Sequence, residues 1–287
     1  MAKYYLAIII IILGIVSIFA FKNFAFKKSY EDFTSAKIAV TIYPFYDIVK
    51  EIVGDKQEVV LIVPPGAEPH NFEFRPNDLV KLKGTKIVFS DGLKIDNWTK
   101  NIIENFKSVK VIPLYRNVNL IDSDPHFWLS IENMKKVAKK ISEEIENSDP
   151  KNKDYYEKNL KSVLNKLDEL SKFAQNESKN LSSHYLITQH DAFRYLANEL
   201  NLYIIGFLEG PNKELTPTEF QKLIDSIKVL NIKIIFKEPG EESNLLKTLA
   251  QEFNLKIYEL DPIEGKSGLN YFDAYKKNIE TLREALK

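Results

Sequence analysis

Residues 151–182 contain neither glycine nor proline, and apolar residues recur at Leu160, Val163, Leu164, Leu167, Leu170 and Phe173 with charged residues between them. That spacing predicts one amphipathic helix roughly 45 Å long, and a rigid rod of this length dictates how the chain on either side of it is arranged. A coiled-coil arm would need the apolar stripe to continue, but it lasts only about two heptads. On both flanks the pattern alternates between β-rich runs and helical spacing. Strands are expected at 37–43, 58–63, 86–90 and 109–113, with helices at 45–53, 76–82, 97–106 and 130–146, the last capped by Ser130. After the rod, strands are expected at 184–188, 202–206, 232–237 and 256–260, with helices at 192–200, 217–229, 243–253 and 271–286. The fold class is therefore α/β: two α/β lobes joined by a single long helix. A chain of 287 residues is long enough for two cores. The expected division is an N-terminal lobe at 37–149, a linking helix at 150–183 and a C-terminal lobe at 184–287.

Residues 4–21 carry no charge and include the run Ile8 to Ile12. As a helix they would extend roughly 27 Å, close to a membrane span. A small-x-small cleavage site is missing, since a cut after Ala20 or Ala25 leaves Ile18 or Asn23 three places back. Residues 1–28 thus read as a signal peptide or membrane anchor, with the anchor preferred, and 29–36 as a tether. Either reading places the body outside the cytoplasmic membrane. The whole chain balances 40 basic against 40 acidic residues. Because Lys3, Lys22, Lys27 and Lys28 precede the body, the body itself is mildly acidic, which argues against a nucleic-acid partner. Cysteine is absent, so disulfides, thiolate metal sites, cysteine nucleophiles and a lipidated cysteine are excluded for these residues.

Histidine must then supply any soft ligand. Of the four, His70, His126 and His190 are expected in loops, whereas His184 starts a strand and reads as structural. His190 follows one predicted strand, and His70 follows another through Pro64-Pro65-Gly66. Asp261 stands just beyond the strand at 256–260. These are carboxyl edges of sheets, where open α/β folds bind ligands. Two candidate ligands from each lobe would thus meet across one cleft, and three imidazoles with one carboxylate suit tetrahedral Zn²⁺. The ligands are too far apart in sequence for a local finger motif. The plainer alternative is that an isolated loop histidine is a solvated surface residue, that Asp261 before Pro262 starts a turn, and that Glu68 is a surface acid. Asp191 reads as the N-cap of the following helix, or as a partner orienting His190.

Four segments go further. Pro65-Gly66-Ala67-Glu68-Pro69-His70-Asn71-Phe72-Glu73-Phe74-Arg75-Pro76-Asn77-Asp78-Leu79, Asp124-Pro125-His126-Phe127-Trp128-Leu129-Ser130, Gln189-His190-Asp191-Ala192-Phe193 and Leu260-Asp261-Pro262-Ile263 resemble, in this order, the metal-site segments of the solute-binding proteins of zinc and manganese ABC importers. The resemblance runs from Lys37 to the C-terminus and includes Asn278, Leu282 and Leu286 of the last helix. It implies two lobes of limited hinge motion, one metal between them and delivery to an ABC permease. It also implies His70 and His126 as first-lobe ligands and His190 and Asp261 as second-lobe ligands. Two departures stand out. Residues 114–124 are short and hold no histidine where some zinc members carry a long His- and acid-rich loop, and Pro69 occupies a position where some members have glutamate.

The expectation is therefore a monomeric, extracytoplasmic protein tethered through residues 4–21 that captures a divalent metal, zinc before manganese, for an ABC importer and performs no turnover. Rival readings are a manganese- or iron-binding member of the same family, a metal-binding adhesin on the same fold, and a zinc hydrolase. The hydrolase lacks a His-Glu-x-x-His motif or any other paired spacing.

Overall fold

The computed structural model of the chain describes residues 37–210 and 213–287. The segments read as signal or anchor and as tether lie outside the described residues. Among the described residues, no helix is long and apolar enough to cross a membrane.

The first sheet holds β1 (Lys37–Val40), β2 (Val59–Leu61), β3 (Thr85–Ser90) and β4 (Lys110–Pro113) in the order β2-β1-β3-β4, with every pairing parallel. Ile38, Ala39 and Val40 are all buried, as expected of a parallel strand covered on both faces. The helices that follow are α1 (Tyr43–Val53), α2 (Pro76–Lys81), α3 (Thr99–Asn105) and α4 (Ile131–Ser148). In α1, Phe45, Ile48, Val49, Ile52 and Val53 share the buried face, and Gly54 ends the helix with a left-handed φ of 55°.

The long helix is α5 (Lys153–Ser178), which buries Tyr156, Val163, Leu167, Leu170 and Ala174. Beyond it come β5 (Tyr185–His190), α6 (Arg194–Glu199), β6 (Tyr203–Gly210), β7 (Lys213–Glu214), α7 (Pro217–Val229), β8 (Ile234–Lys237), α8 (Asn244–Phe253), β9 (Lys256–Glu259) and α9 (Tyr271–Leu286). The second sheet runs β7-β6-β5-β8-β9 and is parallel apart from the short antiparallel β7 edge. Helix α5 packs against α1, α4 and α9, so the C-terminal helix of the chain returns to the first lobe's side. One apolar cluster runs from Ile38 and Val40 of the first sheet through Trp128 and Leu167 to Leu186, Phe236 and Leu260 of the second.

Three local readings change. Strand β6 passes through Gly206 instead of stopping there, because that glycine makes room for α7: a Cβ on it would lie 2.8 Å from Leu223 Cδ1. Helix α6 begins at Arg194, and Asp191 caps nothing; its carboxylate takes two bonds from Arg194, at 3.0 and 2.7 Å. His184 is exposed, and its backbone carbonyl accepts Tyr203 N–H at 2.7 Å.

Candidate metal centre

His190 is the last residue of β5 and not a loop residue. His70 sits in a 3-10 turn, Pro69–Asn71, and His126 directly precedes another, Phe127–Leu129. Both turns lie beyond strand ends of the first sheet. The fold brings the three rings together, with centroid separations of 5.1 Å (His70 to His126), 5.4 Å (His70 to His190) and 5.0 Å (His126 to His190). One ring nitrogen from each can be chosen so that all three lie within 4.8 Å of one another.

Two of the rings are held from behind. His126 Nδ1 lies 2.7 Å from Asp124 Oδ1, which also accepts the His126 backbone N–H at 2.9 Å. His190 Nδ1 lies 2.8 Å from Glu238 Oε1. When Nδ1 donates to a carboxylate, the Nε2 lone pair is left facing forward, which is how histidine is prepared as a metal ligand. His126 Nε2 then faces His70 Nε2 at 3.1 Å. Two nitrogens about 2.0–2.1 Å from one tetrahedral Zn²⁺ would be roughly 3.3 Å apart, so this spacing already matches one shared ion to within a few tenths of an ångström.

Charge separates the rings. Burial, helped by the neighbouring His126 and His190 imidazoles, pushes His70 down to about 3, so it stays neutral near pH 7. Burial acts downward on His190 too, but the hydrogen bond and charge of Glu238 outweigh it and raise its value. Glu238 is lowered by the same pairing, in spite of its own burial.

Asp261 is buried and lies just past the end of β9. Asn278 of α9 brackets its backbone, accepting Asp261 N–H at 2.8 Å and donating to its carbonyl at 2.7 Å. Oδ1 turns back to accept Ile263 N–H at 2.7 Å, and Oδ2 is buried with no hydrogen-bond partner among the described residues. Asp261 does not join the three imidazoles in a group of atoms that all lie within 4.8 Å of one another. A different acid comes close: Glu68, His70 and Glu264 form a second such group. Ile263, between the two acids, has φ of 65°, a left-handed conformation costly for a β-branched residue.

Sequence reasoning did not single out Asp124, Glu238 or Glu264. Asp124 was within reach, two residues before His126. Glu238 stands immediately after β8, at the carboxyl edge of its sheet, but its contact with His190 spans 48 positions.

The family model described as "Zinc-uptake complex component A periplasmic" matches residues 38–285. The chain belongs to the ZnuA family. Among relatives of known role, the high-affinity zinc uptake system protein ZnuA of Bacillus subtilis (strain 168) is 30% identical over 277 residues, which is 87% of each chain. The manganese ABC transporter substrate-binding lipoprotein PsaA of Streptococcus mitis is 30% identical over 284 residues, or 91% of this chain and 92% of its own. A crystal structure of ZnuA superposes with a TM-score of 0.81 at 26% identity, covering 88% of this chain and 100% of that one. The two parallel-sheet lobes and long connecting helix are thus the ZnuA-type architecture.

Proposed function

We propose that the protein is the extracytoplasmic capture component of an ABC importer, with Zn²⁺ as its cargo. His70, His126 and His190 hold the ion, and Asp261 is its fourth donor. The observation that carries this reading is the 3.1 Å approach of the His70 and His126 Nε2 atoms. It is reinforced by the carboxylates behind His126 and His190. The buried Oδ2 of Asp261, which has no hydrogen-bond partner among the described residues, is the spare ligand oxygen for the ion. With that set the bound site carries about one net positive charge. The chemistry is coordination without turnover, and the partner is a membrane permease. The run at 4–21 tethers a monomeric body to the membrane.

Both zinc and manganese proteins stand among the relatives, and donor chemistry supports zinc. Nitrogen-rich sites favour zinc over manganese, and the general affinity order of divalent ions points the same way. Competition titration of the full chain should give a zinc preference of at least roughly 100-fold. His126→Ala should remove most of the zinc affinity. Comparable dissociation constants for the two ions would overturn zinc as the cargo.

A further inference from the structure

Glu264 is 3% exposed, and neither carboxylate oxygen has a hydrogen-bond partner among the described residues. A buried carboxylate in this condition is expensive unless it holds its proton or meets a cation. The neighbouring Lys266 does not meet the need, because its ammonium lies 2.6 Å from Glu241 and 3.5 Å from Glu238. The side chain is instead placed by backbone. Glu264 C=O accepts Gly66 N–H at 3.0 Å from the first lobe. Gly265, at φ 86°, passes so close to Tyr43 that a Cβ would lie 2.9 Å from its ring. This delivers a second-lobe carboxylate to the first-lobe turn that carries His70. Glu68 is held on the same turn, its Oε1 accepting His70 N–H at 3.2 Å.

We propose that Glu68, His70 and Glu264 form a second cation position beside the three-imidazole centre, sharing His70 with it and holding the ion in an oxygen-rich setting. Their ligand atoms lie within 4.8 Å of one another, and the position offers two carboxylates and one nitrogen where its neighbour offers three nitrogens. By donor softness it suits a harder divalent ion such as Mn²⁺, and the neighbour suits Zn²⁺. Because His70 belongs to both, one ion per chain occupies one setting or the other. Glu68 also lines an open cavity of about 640 Å³ with Asn71, Glu73, Arg75 and Asp78. This inference rests on the reading that the three-imidazole centre takes the cargo.

Glu264→Gln keeps the shape and removes the charge. In competition titrations of the full chain, this variant should weaken Mn²⁺ by at least about tenfold and Zn²⁺ by less than about threefold. Binding should still saturate at one ion, and the electron paramagnetic resonance spectrum of bound Mn²⁺ should change. Unchanged Mn²⁺ affinity, or equal losses for both ions, would show Glu264 to be a buried protonated acid and nothing more. If Glu264→Gln does not fold by near-ultraviolet circular dichroism, Glu68→Gln on the half-exposed turn decides by the same Mn²⁺-selective loss. A wild-type chain that binds zinc while Glu264→Gln leaves manganese untouched refutes only this position. A wild-type chain that binds neither ion refutes the capture function itself.

Discussion

At His70 the surroundings that ready the ring for a metal also make it a liability in acid. In the unfolded chain an imidazole titrates near 6.5, but burial and the other two rings hold this one at about 3. A folded-state value below the unfolded one gives stability that is fully present above about pH 6.5 and is lost as pH falls toward 3. At pH 5 the loss amounts to about 2 kcal/mol. Urea unfolding of the metal-free protein at pH 7 and pH 5 should therefore show a larger drop for wild type than for His70→Gln, by that amount. Parallel pH dependences would contradict the assignment. The three histidines were legible because the residue is scarce here and each stands at or beyond the end of a strand. The acids were not, because Glu238 and Glu264 are two among many and their partners sit far away in sequence. Nothing local marks Glu238 as the residue behind His190, or Glu264 as the one that reaches His70.

Among the elements, the N-terminus of α4 is a joint bonded by both lobes. Ser130 caps it by accepting Asn133 N–H at 3.2 Å. Glu199, from the end of α6 in the other lobe, accepts Ser130 Oγ at 2.6 Å, Ile131 N–H at 3.1 Å, Glu132 N–H at 3.2 Å and Tyr275 Oη at 3.2 Å. A carboxylate there satisfies exposed helix donors and lies at the positive end of the helix dipole. Glu199→Ala should cost about 2 kcal/mol of stability in denaturant titration while leaving zinc affinity within a factor of about two. A large affinity loss with unchanged stability would give this residue a different role. The Ser130 cap, the span of α7 and the span of α9 could be read from sequence because caps and apolar periodicity are local. The Glu199 contribution could not, since it arrives from another lobe. For the same reason β6 was read too short: Gly206 looks like a strand end until Leu223 is seen to need the space.

Across the whole molecule, the two sheets share one apolar core, and the linking helix is part of it. Trp128, two residues beyond His126, donates Nε1–H to Pro262 C=O at 2.7 Å and accepts the Tyr271 hydroxyl on its own carbonyl, also at 2.7 Å. The lobes should therefore melt together. Urea unfolding followed by near- and far-ultraviolet circular dichroism should give one coincident transition, moved to higher urea as a unit by zinc. Two resolved transitions would mean that the lobes are independent. The grip of Trp128 on Pro262 also bears on timing. Parting the halves, or moving the turn at 261–263, breaks that buried bond, so either motion is slower than the fraying of an exposed loop.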